Sequence, residues 1–229
     1  MPSPNSSLAI EGGGFDHTPA PDYAGRLRRA RLGLIVGLAP IVMLFVSLTS
    51  AFIVRRGLPT FDERTGIYVR DWRTVNLPLT LLAANTLILA VSSLTIELAR
   101  RQTARRAVLI GIRSVPGVSI GEETTSPWLV LTVLLGLGFL VGQCLAWGNL
   151  ARQGFYLAGN PSSSFVYLLT AAHAVHLAGG LAALLYALVA SLLGRPADSR
   201  YIVVDVAAWY WHFMAVLWIY VFAFLEFAR

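Results

Sequence analysis

Apolar residues occur in five long runs along the chain, separated by short stretches rich in arginine, glycine and proline. A helix needs about 20 mostly apolar residues to cross a hydrocarbon layer about 30 Å thick, and each run reaches that length. The pattern therefore predicts an all-α protein, an integral membrane bundle of five transmembrane helices. The predicted spans are residues 32–54, 77–99, 128–150, 163–193 and 202–227.

The composition agrees with this pattern and argues against an ordinary soluble domain. Of the 229 residues, 56% are hydrophobic and 13% are charged, whereas a soluble domain carries about a quarter charged residues. The single cysteine, Cys144, lies within an apolar run, which leaves no disulfide framework and no cysteine-based metal site. We therefore interpret the chain as a membrane protein.

The first residues of the chain differ from the rest. Residues 1–25 are rich in glycine, proline and serine and contain few apolar residues. Such a segment cannot bury enough apolar surface to fold. We therefore predict a disordered cytoplasmic tail over residues 1–25 and a five-helix transmembrane domain over residues 26–229. The tail lacks the apolar stretch of a signal peptide, so none is predicted.

Arginines supply all 18 basic residues, and they cluster between the apolar runs, an arrangement typical of membrane proteins rather than of nucleic-acid binders. Basic residues near span ends are more numerous on the cytoplasmic side of a membrane. If the N-terminus is cytoplasmic, eleven arginines lie on that side and seven on the other, which favours an N-in/C-out orientation. The cytoplasmic set is Arg26, Arg28, Arg29, Arg31, Arg100, Arg101, Arg105, Arg106, Arg113, Arg195 and Arg200, and the external set is Arg55, Arg56, Arg64, Arg70, Arg73, Arg152 and Arg229.

Few polar side chains interrupt the predicted spans, and ionisable groups at membrane depth are functional candidates by default. The acidic ones all lie within about one helical turn of a span end, and they are Glu97, Asp205 and Glu226. We expect them to reach interfacial water or nearby arginines such as Arg100 and Arg101. Asn85 and Gln143 are expected to form hydrogen bonds between helices.

Three histidines within the spans are harder to interpret. His173 and His176 are three residues apart and share a helix face, and His212 lies in the next, antiparallel span. Three histidines could bind a metal ion, two could hold a haem iron, or all three could be neutral and hydrogen-bonded within the bundle. The chain contains no paired buried carboxylates, nucleophile constellation or phosphate-binding loop, so catalysis by this chain alone is not expected.

Glycine pairs on three of the runs predict close helix contacts, because small residues allow backbones to approach each other. The pairs are Gly33 with Gly37, Gly138 with Gly142, and Gly179 with Gly180. We expect the face formed by Gly138 and Gly142 to pack against protein rather than lipid.

The fifth run carries the most specific pattern in the chain. The sequence Tyr210-Trp211-His212-Phe213, followed by Trp218, resembles the closing helix of the haem-copper oxidase subunit III family, also called cytochrome c oxidase subunit III. In that family the run Y-W-H-F followed by a Trp is a highly specific signature.

Three other runs resemble further helices of the same family. The fourth run is similar to its T-x-x-H-x-x-H-x-x-G helix through Thr170 and two histidines. The second run is similar to its L-P…N-T-x-x-L-x-x-S-S-x-T helix through Asn85 and Thr86, and Gln143 with Trp147 fits its next helix. The positions that match family motifs, and that we expect to act in packing, are Asn85, Thr86, Gln143, His173, His176, Trp211, His212 and Trp218.

The resemblance covers about residues 30–228 in order and implies both a fold and a function. Five helices instead of seven resemble the shorter bacterial version of the family, with N-in/C-out topology. The implied role is that of an accessory subunit of a proton-pumping terminal oxidase in the bacterial inner membrane. Such a subunit packs on subunit I, lies in a complex with subunit II, holds phospholipids and supports proton uptake. Membership of a larger respiratory supercomplex is compatible with this role.

The resemblance further implies that this chain has no catalytic, cofactor-binding or metal-ligating residues, because haem and copper belong to subunits I and II. Its histidines are then motif residues without a metal. Two positions differ from the family pattern. A buried carboxylate in an S-E-x-x-F-F context is replaced by apolar residues around Pro40 and Ile41, and the Asp that follows W-H-F in many members is Ala215.

Other functions remain open at this point. Two of them differ only in partner, namely an accessory subunit of a quinol oxidase and the related protein associated with nitric oxide reductase. A third belongs to a different class and is a free-standing membrane enzyme or transporter that uses the three histidines at a metal.

Overall fold

The computed structural model describes residues 23–62, 66–69, 72, 75, 77–112, 126–156, 160–193 and 197–227. Five helices account for most of these residues, and all five are long and apolar enough to cross a membrane. The predicted all-α membrane bundle is therefore confirmed. The helices are α1 (Tyr23–Gly57), α2 (Leu79–Ile112), α3 (Pro127–Arg152), α4 (Pro161–Leu192) and α5 (Ala197–Phe227).

Two helices extend well beyond the apolar runs that predicted them. α1 begins at Tyr23, and α2 continues past Arg100 to Ile112. Arginine is a good helix former, and its charged end reaches water while its stem covers apolar surface. Apolar length therefore predicts the membrane crossing, whereas the helix itself continues into the polar region. The predicted tail over residues 1–25 lies outside the described residues, except for its last three residues, which belong to α1.

A short hairpin follows α1. Its strands, β1 (Thr60–Asp62) and β2 (Ile67–Val69), pair in the antiparallel sense with Phe61 opposite Tyr68. The two rings meet edge to face with their centroids 5.3 Å apart. Strands of three residues are too short for alternation of polar and apolar side chains to predict them, so the sequence pattern did not predict this hairpin.

Successive helices run in opposite directions, so their ends form two faces of the bundle. The N-terminal face holds the first turns of α1, α3 and α5 and the last turns of α2 and α4. α2 packs against α3 and α5, and α4 packs against the same two helices. α1 lies at the edge against α4 and α5. Only 11% of its most apolar segment is buried, compared with 50% for α5, so α1 presents most of its surface to its surroundings.

Two buried tryptophans of α5 fix its register against α2. The indole Nε1 of Trp211 donates to Ser92 Oγ over 3.0 Å, and the indole Nε1 of Trp218 donates to Thr86 Oγ1 over 3.0 Å. The two tryptophans are about two helical turns apart and therefore share a face. Hydrocarbon offers no alternative acceptor, so sliding α5 along α2 would leave both indole N–H groups unsatisfied.

Polar contacts of the same kind join α2 to α3. The hydroxyl groups of Thr95 and Thr132 form a hydrogen bond of 2.8 Å. Closer to the start of α2, Asn85 Nδ2 donates to the carbonyl oxygen of Phe139 over 3.3 Å. A side-chain amide can reach a backbone carbonyl on the next helix only where the two helices approach closely.

Glycines provide these close approaches, although not at every predicted pair. Three of them lie so near a neighbouring side chain that an added Cβ atom would be crowded, and they are Gly136 against Trp211, Gly142 against Asn85 and Gly180 against Tyr210. At Gly138 no atom of the described residues outside the helix's own neighbouring backbone lies within 4 Å of a Cβ position. Gly138 lies about 200° around α3 from Gly136. The predicted Gly138/Gly142 face therefore packs within this chain at Gly142, whereas packing of Gly138 against another subunit stays a prediction.

Gly142→Ala should destabilise the bundle by about 1–3 kcal/mol, because the methyl group would displace the Asn85 side chain from its bond to α3. Gly138→Ala is the matched control on the same helix and should leave stability unchanged or raise it by up to about 1 kcal/mol, because alanine is the better helix former. The measurement is thermal unfolding of the purified chain in mild detergent. Equal effects of the two substitutions would contradict this packing arrangement.

Candidate functional site

The three histidines of the spans do not converge. His173 is fully buried, and its ring centroid lies 5.9 Å from that of Phe139 and 5.0 Å from that of Trp218. His176 turns back on its own helix, where its Nδ1 atom donates to the carbonyl oxygen of Ala172 over 2.7 Å. The two histidines of α4 therefore have different surroundings.

His212 faces α2 instead. Its Nδ1 atom lies 2.5 Å from Ser93 Oγ, and its Nε2 atom lies 3.6 Å from Glu97 Oε2. Within the part of the chain that the structure describes, no three His, Cys, Asp or Glu side chains lie close enough to hold a metal ion. The sequence spacing allowed a metal site formed by the three histidines, but their positions in the structure do not form one.

Charged side chains meet at the N-terminal face of the bundle. Asp205 has no exposed surface and forms a two-point ion pair with Arg31, in which Nε and Nη2 each donate over 2.8 Å. Arg100 Nη1 adds a third contact at 3.2 Å. A buried carboxylate is costly unless it is paired and hydrogen-bonded. Here N–H groups of two arginines satisfy it, through charge-assisted bonds that are stronger than neutral ones.

Glu97 continues this arrangement along α2. Arg100 Nε and Nη2 donate to its two carboxylate oxygens over 2.8 and 2.9 Å, and Arg101 Nε donates over 2.7 Å. Arg100 thus bridges a carboxylate on its own helix and one on α5. We call this group the N-terminal ion cluster, and it consists of Arg31, Glu97, Arg100, Arg101 and Asp205.

The sequence predicted only part of this cluster. The expected pairing of Glu97 with Arg100 and Arg101 is confirmed, because residues three and four apart on a helix are neighbours. The contact of Arg100 with Asp205 fits the same expectation, whereas the pairing of Asp205 with Arg31 was missed, since Arg31 is 174 residues away in the chain. The sequence did hold a signal for the pair of Arg31 with Asp205, because the arginine count places the starts of α1 and α5 on the same side of the membrane.

The eight motif residues lie on α2, α3, α4 and α5, and all except His176 have side chains at the contacts between these helices, since the ring of His176 faces Phe45 of α1. The side chains of five are buried, namely Asn85, Gln143, His173, Trp211 and Trp218, and those of Thr86, His176 and His212 are half-buried. The positions where the family pattern suggested carboxylates hold Ile41 and Ala215, which both pack against the hydrophobic core.

An apolar groove of about 480 Å³ lies between α1, α4 and α5. Its lining includes Leu34, Gly179, Val203 and Tyr210. Leu34 follows Arg31 by three residues, about one helical turn, so the groove begins beside the N-terminal ion cluster. Its shape and lack of charge fit a hydrocarbon chain better than a polar ligand.

Comparison with known proteins points to a single family. Residues 26–228 match the sequence profile of the family described as "Cytochrome c oxidase subunit III". The chain is 27% identical to a cytochrome c oxidase subunit 3 of Corynebacterium diphtheriae, over 92% of this chain and 95% of that protein.

Two further relatives carry the description "Probable cytochrome c oxidase subunit 3". One, from Nocardia farcinica, is 25% identical over 86% of this chain and 87% of its own length. The other, from Mycobacterium bovis, is 31% identical over 63% of this chain, and the matched region spans 64% of that relative.

Asp205→Asn should loosen α1, because an amide cannot replace the two-point pair with Arg31. We expect a loss of about 2 kcal/mol, since breaking a buried charged contact leaves its partners unsatisfied. Arg101→Ala removes an exposed pair within α2 and should cost less than about 0.5 kcal/mol. Thermal unfolding in mild detergent and protease access to α1 measure both. Similar losses in the two variants would contradict the role assigned to Asp205.

Proposed function

This chain belongs to the cytochrome c oxidase subunit III family, and we propose that it is the accessory subunit III of a proton-pumping terminal oxidase that reduces oxygen. The observation that carries this proposal is the family match over residues 26–228. The buried positions of Trp211 and Trp218, which form the most specific motif of the sequence, agree with it.

The redox chemistry of the complex belongs, in this proposal, to partner subunits that hold haem and copper. This chain itself contributes packing contacts between helices rather than redox centres. The separate surroundings of the three histidines support this division of roles: His173 packs against Trp218 of α5, His176 is bonded within α4, and His212 contacts Ser93 of α2. The eight motif residues then act as packing residues that set the register between helices.

Subunit I is the proposed main contact, with subunit II in the same complex. The outer face of α1 offers a surface for such a contact, because little of it is covered by the rest of the chain. Accessory subunits of a quinol oxidase or of nitric oxide reductase would share this fold and differ in the partner they contact.

The proposed location is the inner membrane of a bacterium, with the N-terminus in the cytoplasm. Five spans make this a multi-pass membrane protein, and the three relatives described above are bacterial. In this orientation the N-terminal ion cluster lies at the cytoplasmic interface, where the charged ends of half-exposed arginines can reach water. A respiratory supercomplex would be compatible with this placement.

Phospholipid retention is a further part of the proposed function. The groove between α1, α4 and α5 is apolar, and burying a hydrocarbon chain along it would add contacts that bare helices cannot make. Exposed arginines at the start of α1, such as Arg28, lie on the side where anionic headgroups attract basic residues. The five-helix chain can thus hold lipid without the two additional helices of longer family members.

Affinity purification of the tagged chain in mild detergent tests the proposed function. We expect a haem-copper subunit I and a copper-binding subunit II to co-purify with it, and the purified complex to have a haem absorption spectrum. Subunit composition identifies the type of oxidase or reductase. A chain that purifies alone, or with proteins that lack haem and copper, would contradict the assignment.

Gly179→Leu should reduce the amount of phospholipid that co-purifies, because the added side chain would fill the groove. Gly148→Leu is the control, since Gly148 is also exposed and has open space around it but lies on α3, outside the groove. The ratio of phospholipid phosphorus to protein in the purified complex is the measurement. An unchanged ratio in Gly179→Leu would count against lipid in this groove.

A further inference from the structure

Gln143 is a polar side chain with an unmet hydrogen-bonding need deep in the bundle. Only 2% of the residue is exposed, and its Oε1 atom has no hydrogen-bond donor among the described residues. A buried acceptor left unsatisfied costs about 1–3 kcal/mol. The surrounding hydrocarbon cannot meet this need, so a partner has to lie inside the protein.

A small cavity adjoins this amide. It is lined by Gln143 and Thr170, with Trp147 and Trp218 beside them and apolar side chains around the rest. The volume open to the centre of a water molecule is about 10 Å³, which corresponds to the space that one internal water needs. The cavity is too small for a lipid chain.

Thr170, which also lines this cavity, has one unused acceptor position. Its hydroxyl donates its only hydrogen to the carbonyl oxygen of Val166 over 2.7 Å and accepts a hydrogen bond from Trp147 Nε1 over 3.1 Å. A hydroxyl oxygen has two lone pairs, so one remains. Any bridging molecule must therefore donate to Thr170 as well as to Gln143 Oε1.

We infer that this cavity is a binding site for one ordered water, which donates one hydrogen to Gln143 Oε1 and the other to Thr170 Oγ1. Water is the only common internal ligand of this size with two hydrogens to donate. A cation would bring charge into a site whose lining holds no carboxylate. The site is independent of the proposed function of the chain.

The bound water would link α3 to α4 where direct polar contacts are few. Gln143 and Trp147 lie one turn apart on α3, and Thr170 lies opposite them on α4. The indole bond from Trp147 and the water bond from Gln143 would then both end at the Thr170 hydroxyl. A water bridge of this kind is nearly as favourable in enthalpy as a direct hydrogen bond.

The first test is a cryo-EM map of the membrane complex that contains this chain, at a resolution that reveals ordered internal waters. We expect density for one water at about 2.5–3.0 Å from both Gln143 Oε1 and Thr170 Oγ1. A map that resolves other internal waters but has no density at this position would overturn the inference.

The second test compares Gln143→Met, Thr170→Val and the double variant by thermal unfolding of this chain within the purified complex. Each single substitution should lower the midpoint, and the double variant should lower it by less than the sum, because both lose the same water. Thr170→Ser keeps the hydroxyl and loses only a methyl group, so it should lower the midpoint less than Thr170→Val does. Without a water, the two substitutions would act independently, so additive shifts, or an unchanged or higher midpoint in Gln143→Met, would refute the bridge.

Discussion

Hydrocarbon offers no hydrogen-bond partner to a polar group, and this constraint organises the bundle. The indole N–H groups of Trp211 and Trp218 find hydroxyl acceptors on α2, and these two bonds set the depth at which α5 lies against α2. Gly142 of α3 then lets that helix approach Asn85 of α2. Few polar side chains remain in the spans, and most of those described join one helix to another.

The N-terminal ion cluster meets the same constraint for charged groups, because its carboxylates are paired with arginines. α1 covers little of the rest of the chain, and its attachment includes the pair of Arg31 with the buried Asp205. Near the other end, Tyr220 donates to Thr49 over 3.0 Å. Two polar contacts near opposite ends of a largely exposed helix hold it in place while its outer face remains available to lipid or to another subunit.

Features that depend on local sequence could be predicted, and those that depend on distant contacts could not. Apolar length predicted the five spans, and helical spacing predicted the pairing of Glu97 with Arg100. Spacing placed His173 and His176 on one face of α4, but it did not specify which helix each histidine contacts, so it did not predict that His212 faces α2. The contact of Arg31 with Asp205 requires knowledge of which helices are neighbours, and the short hairpin after α1 has too few residues to show a pattern.

The central claim is that this chain contributes structure, lipid contacts and assembly rather than redox chemistry. The histidines support it because they are bonded or packed separately, and the charged cluster supports it because both of its carboxylates are paired with arginines. The most direct measurement is metal and haem analysis of this chain after its separation from the purified complex. The account predicts no stoichiometric haem, copper or zinc in the separated chain, and one metal ion or haem per chain would contradict it.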